Sequence, residues 1–189
     1  MMSKKPRILS VDTKARTRLF HVEEVGLEFA NGAVVRYERL SASPHGAVLV
    51  VPMLDDDTVL LIREYAAGVD RYELGLPKGL IESGESLLEA ANRELMEEVG
   101  YGARDLRHLT SFTLAPGYFA HVTHIVFARN LYEQRRAGDE PEVIEVVPWR
   151  LSELTALVAQ DDCTEARSIA ALYMVRDLLR AQDENWQND

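Results

Sequence analysis

The stretch from Gly79 to Tyr101, GLIESGESLLEAANRELMEEVGY, constrains this chain more than any other. It carries six glutamates, Glu82, Glu85, Glu89, Glu94, Glu97 and Glu98, against one cation, Arg93. Ser86 followed by Glu89 reads as a capping box, which starts a helix at about Leu87. Gly100 is a plausible residue to end it, so the helix is predicted to close at about Val99. At about 100° per residue, Leu88, Ala91, Leu95 and Val99 share one face, predicted to be buried, and Glu94, Glu97 and Glu98 project from the other side. Glu94 and Glu98 are spaced i,i+4, one turn apart, and like charges so placed repel unless something neutralises them. A solvated acidic face is one reading. The other is a hard divalent cation such as Mg2+, which takes oxygen ligands, keeps several waters and is shared with substrate phosphates. A carboxylate pair below a Gly-containing loop suits that chemistry.

The remaining composition narrows the partners. A chain of 189 residues suits one domain, or one domain with an added arm, and 47% hydrophobic residues suffice for a core. The net charge of −10 has the wrong sign for binding a nucleic-acid backbone, so an anionic small molecule must be held by a few placed cations and by metal. The single cysteine, Cys163, excludes an intrachain disulfide and reads as a packing residue. The basic N-terminus lacks an apolar signal-peptide core, and no run approaches the ~20 apolar residues of a membrane helix, so a cytoplasmic protein is expected.

Along the chain, Phe20 to Leu40 reads as a hairpin: Val25, Leu27 and Phe29 alternate, Asn31-Gly32 is the turn, and Val35 and Tyr37 continue. A linker containing Pro44 leads to Ala47–Leu54, an apolar run typical of a buried central strand. Asp55 to Asp57 make a solvated turn, and Thr58 to Tyr65 return as a strand. Leu106–Leu114 and Val122–Leu131 are predicted strands joined by Ala115-Pro116-Gly117-Tyr118, a loop fixed by Pro-Gly with an aromatic at its tip that can stack on a base. His121 and His124 read as ordinary strand residues. A polar loop from Gln134 to Ile144 contains Glu140-Pro141-Glu142, and Val143–Trp149 is the last strand. Ser152 is predicted to cap a short helix and Thr164 a longer one, with Ile169, Leu172, Val175 and Leu179 inward.

The spacing G-x5-E-x7-R-E-U-x-E-E-x-G-U, with U a bulky apolar residue, is met by Gly79, Glu85, Arg93, Glu94, Leu95, Glu97, Glu98, Gly100 and Tyr101, the last an aromatic in an apolar slot. It resembles the signature of the Nudix hydrolases, which cleave a diphosphate linkage attached to another group. The Pro116-Gly117-Tyr118 loop and the Glu140-Pro141-Glu142 order resemble the ADP-ribose pyrophosphatase branch. That resemblance implies an α/β Nudix fold, a mixed sheet between helices, over residues 46–189. It also implies an N-terminal antiparallel β arm over 1–45 that joins two copies as a homodimer. It implies Mg2+ or Mn2+, two or three ions, held by Glu94 and Glu98 with Glu97 or the Lys78 backbone carbonyl. Glu85 is left open between metal and Arg93; Arg93 would orient the carboxylates, and Glu140 or Glu142 would be the general base. Arg39, Arg63, Lys78, Pro116 and Tyr118 would contact substrate. The branch usually has a small residue at position 78 and often a glutamate at 75; Lys78 and Gly75 here put substrate preference in question. The implied reaction releases AMP from ADP-ribose, NADH or diadenosine oligophosphates. Alternatives are another diphosphate, such as a sugar nucleotide or an RNA end, and a non-catalytic ligand sensor of the same fold.

Overall fold

The computed structural model describes residues 4–41, 45–139 and 141–186. The predicted base Glu140 and the linker residues Ala42, Ser43 and Pro44 lie outside the described residues. The chain forms two compact units, Met1–Gly46 with Thr113–Val122, and Ala47–Phe112 with Thr123–Asp189.

The first unit is a three-stranded antiparallel sheet, β1 (Arg7–Arg16), β2 (His21–Glu28) and β3 (Val34–Ser41), in that order. The predicted hairpin is β2–β3. Phe29 N donates to the Ala33 carbonyl at 2.9 Å, Ala33 N donates to Asn31 Oδ1 at 3.1 Å, and Gly32 takes φ +82°, a region glycine enters without steric cost. Strand β1 is an addition to the sequence reading: RILSVDTKAR alternates poorly, and every residue in it is exposed. The 113–122 segment docks on β3, with Leu40 N donating to the Tyr118 carbonyl at 2.7 Å and Ala120 N to the Leu40 carbonyl at 3.0 Å.

The second unit contains two sheets. One has the order β10 (Glu145–Arg150), β5 (Thr58–Ala66), β6 (Arg71–Gly75); the other runs β7 (Lys78–Leu80), β4 (Ala47–Pro52), β9 (Val122–Glu133), β8 (Tyr101–Thr113). β4 pairs parallel with β9 and antiparallel with β7, so the second sheet is mixed. The run Tyr72–Leu80 divides at Leu76-Pro77 between β6 and β7, which enter different sheets; proline cannot donate to a ladder. The two-residue period of β4 explains the layers. Leu49 and Val51 join Leu61, Ile125, Phe127, Leu172 and Val175 in one core, while Val48 and Val50 join Ile62, Val126, Ala91 and Leu95 in the other. The first core lies under helix α3 (Ala166–Trp186), the second under helix α1 (Leu87–Glu94). A four-residue helix α2 (Leu154–Leu157) buries Leu154 and Leu157 in the α3 core.

Two predicted caps are corrected. Ser152 does not cap; its N–H and hydroxyl both donate to Asp57 at 2.8 Å. Thr164 likewise donates to Glu73, and the first turn of α3 is closed by Glu165, whose carboxylate accepts from the N–H groups of Arg167 (3.1 Å) and Ser168 (2.9 Å). Burial opposes its charge, yet the Arg167 guanidinium and these N–H groups hold Glu165 below the usual carboxylate range.

Candidate active site

Helix α1 starts as predicted at Leu87, with both bonds of the Ser86–Glu89 capping box formed. After Glu94 it widens into a single π turn, Leu95–Val99, closed by Gly100 N donating to the Leu95 carbonyl at 3.1 Å, with Gly100 at φ +83°. Such turns concentrate at functional sites. The inward face of the helix differs from the predicted one. Leu88 is 39% exposed, whereas Ala90, Ala91, Leu95, Met96 and Val99 are buried. Glu94 and Glu98, expected to project away from the core, are 7% and 3% exposed. The helix lays its acidic side against the sheet.

Gly79 makes that possible. A Cβ built there would overlap the Glu94 carboxylate, so only glycine lets β7 approach this side chain. Glu98 accepts the Lys78 N–H at 2.9 Å, and Lys78 Nζ donates to Glu64 at 2.9 Å. Burial pushes the Glu98 carboxyl up to about 8; the Lys78 charge and N–H pull it down, and Glu94 and Glu64 push it further up. Arg93 is the hub of the remaining acids. It donates to Glu85 through Nε (2.8 Å) and Nη2 (3.0 Å), to Glu94 (2.8 Å) and Glu97 (3.0 Å) through Nη1, and to the Leu80 carbonyl (3.0 Å). Of the two readings left open for Glu85, this geometry has the Arg93 one: a bidentate pair that holds its carboxyl below the usual range.

The donor set fits a hard cation. Glu94 and Glu98 are neighbouring buried carboxylates, and a divalent ion offsets both the burial and the lesser mutual repulsion that raise Glu98. Among the described residues no three His, Cys, Asp or Glu side chains form a cage by themselves. An ion that keeps waters and shares substrate phosphates needs no such cage. Changing Gly79 to Ala is expected to move Glu94, whose carboxylate is the flexible end of its side chain, rather than to unfold the protein. Activity should fall by about 10²-fold or more, in the range for losing one stabilising group, with the melting temperature changed far less. A fully active Gly79→Ala protein would mean that Glu94 needs no such placement.

The other predicted residues fall into two groups. Arg39, Pro116 and Tyr118 line a recess of about 430 Å3 in the first unit, with Val25, Leu27, Tyr37 and Phe119. There Arg39 Nε donates to Glu23 at 2.8 Å. Arg63 and Lys78 belong to the second unit. Arg63 is engaged by Glu145 (2.9 Å) and by Asp162. Glu142 accepts the Tyr72 hydroxyl at 2.8 Å, an arrangement that raises the Tyr72 pKa. His124 accepts or donates at 2.8 Å with Ser111, which also lies 3.2 Å from His108, and His121 stacks on Phe119. Sequence reading did not assign Glu64, Tyr72 or Asp162. Glu145 was legible in principle, because it pairs with Arg63 in the β10–β5 register.

A NUDIX domain model matches residues 43–172, and a model of the NudE-type Nudix hydrolase N-terminal domain matches residues 6–39. The chain belongs to the Nudix hydrolase family. It is 51% identical over 178 residues to the ADP compounds hydrolase NudE of Escherichia coli K12, covering 94% of this chain and 95% of that one. It is 30% identical over 166 residues to the ADP-ribose pyrophosphatase of Bacillus subtilis 168, covering 86% and 88%. A crystal structure of an ADP compounds hydrolase superposes with a TM-score of 0.89 at 49% identity, covering 96% and 98%. Nudix hydrolases use divalent metal ions, and the Glu94–Glu98 pair has the ligand chemistry for one. The described residues of this Nudix chain include no helix long and apolar enough to cross a membrane.

Proposed function

We propose that this Nudix hydrolase cleaves the diphosphate linkage of ADP-containing compounds, ADP-ribose, NADH and diadenosine oligophosphates among them, and releases AMP. The buried Glu94–Glu98 pair against Gly79 carries the reading, supported by the likeness to the E. coli ADP compounds hydrolase along almost the whole chain. Glu94 and Glu98, with Glu97 or the Lys78 carbonyl, would hold Mg2+, which when bound neutralises phosphate oxygens and acidifies a water. Arg93 fixes Glu85, Glu94 and Glu97 by charge-assisted hydrogen bonds, so the carboxylates need not reorganise during turnover. A carboxylate of the 134–144 loop, Glu140 ahead of Glu142, takes the proton of the attacking water. Tyr37 and Tyr118 are exposed aromatics in the recess that also holds Arg39, a composition suited to a base and its phosphate.

A panel of nucleoside diphosphate derivatives with Mg2+, its products separated by chromatography, tests this. AMP as the common product is expected. Preference for a GDP-sugar, or no turnover of any member, would overturn the reading.

Assembly is part of the same proposal. Ile8, Leu9, Val11, Val34 and Val35 of the N-terminal sheet are exposed apolar residues, which suits a face covered by a second copy. Sedimentation at micromolar concentration should give one species of twice the chain mass; a fully active monomer would refute it. A cytoplasmic location agrees with the lone, buried Cys163.

A further inference from the structure

In a chain of net charge −10, a cluster of arginines is informative. Strands β8 and β9 bring three to one recess of about 380 Å3, lined by Arg104, Asp105, Leu106, Arg107, Phe127 and Arg129. None of these belongs to the active site described above. Arg104 stacks on Tyr132, 4.6 Å from the ring centroid, and Arg104 and Arg107 make no ion pair with the described residues. Arg129 reaches Asp56 at 2.6 Å, but that aspartate is 93% exposed, so water screens the pair. Asp105 is the one carboxylate lining the recess, and it accepts the side-chain amide of Asn130. Asn130 takes φ 54°, a conformation uncommon outside glycine, directly after Arg129. The backbone thus turns where the strand presents Arg129, and three guanidinium groups against the one carboxylate leave the lining net positive.

The volume is within the ~300–1,000 Å3 range of small-molecule sites. Guanidinium forks match phosphate oxygens in shape and charge. We propose that this recess binds a phosphate-bearing small anion at a site separate from the active site. The shared chemistry is the phosphate group; an inorganic polyphosphate and a nucleoside phosphate both supply it.

Calorimetric titration of the full chain with inorganic pyrophosphate, and separately with AMP, decides the matter. It is run in chelator, where the Glu94–Glu98 pocket offers an anion only carboxylates, and repeated with Mg2+. Wild type should bind, more weakly as salt rises. Arg104→Ala and Arg107→Ala, both exposed and so tolerated by the fold, should each weaken binding by about tenfold. Of the binding that the double variant loses, a larger loss for AMP than for pyrophosphate assigns the site to nucleotides, and the reverse assigns it to inorganic polyphosphate. Hydrolysis by the double variant should match wild type. Equal affinity of wild type and double variant overturns the proposal, as does no binding of either anion to wild type up to about 10 mM. A double variant that loses hydrolysis together with anion binding also overturns it, because the recess would then serve the active site.

Discussion

Turnover of Glu98→Gln is expected to fall by about 10³-fold or more, the scale for losing a principal electrostatic stabiliser. The fold should survive, because glutamine keeps an oxygen to accept the Lys78 N–H that Glu98 now accepts at 2.9 Å. Stability gives a second readout with an unusual sign. Burial raises the Glu98 carboxyl from an ordinary 4.5 to about 8. Between those values the native protein holds a proton that the unfolded chain has released, so wild-type stability falls as pH rises through that window and levels off above it. Glutamine has no such loss. In chelator the variant should therefore melt above wild type at about pH 8 and near it at about pH 4.5. Mg2+ should raise the melting temperature of wild type more than that of the variant. Activity within tenfold of wild type would remove Glu98 from the metal site.

The second large effect concerns the base. Glu140→Gln is expected to lose about 10²–10⁴-fold in kcat at similar KM, the span for removing a general base. Glu142→Gln should lose less, since the Glu142 carboxylate already accepts the Tyr72 hydroxyl. Metal affinity should hold in both. Part of the Glu140→Gln rate should return at high pH, where hydroxide replaces the base. If both single variants and the double variant turn over normally at neutral pH, the proton goes elsewhere, and Glu97 is the next residue to change.

Much of the fold was legible because its signals are local. Asn31-Gly32 sets the β2–β3 register, and that register alone pairs Glu23 with Arg39. The capping box and Gly100 bound the acidic helix, and the spacing of its acids identifies the family. Three things were not legible. An ideal helical period cannot reveal a π turn, so the burial of Glu98 was misassigned; Leu88 and Glu94 precede that turn and depart from the predicted face because the helix packs its Glu94 side on Gly79. The partners of Arg63 and Lys78 come from elsewhere in the sequence: Asp162 meets Arg63 across 99 residues, and Glu64 meets Lys78 from another strand. Helix caps were assigned to hydroxyls by propensity, whereas Glu73 and Asp57 had already claimed Thr164 and Ser152.

The wide turn at Leu95–Val99 also limits how portable these side chains are. It shifts the rotational phase of everything after Glu94, so Glu98 does not sit where a uniform spiral would put it. Copying the acidic residues onto a regular designed helix would reproduce their order and lose their convergence. A transplant would have to carry the five-residue turn, its glycine stop and the bare glycine strand facing it as one piece.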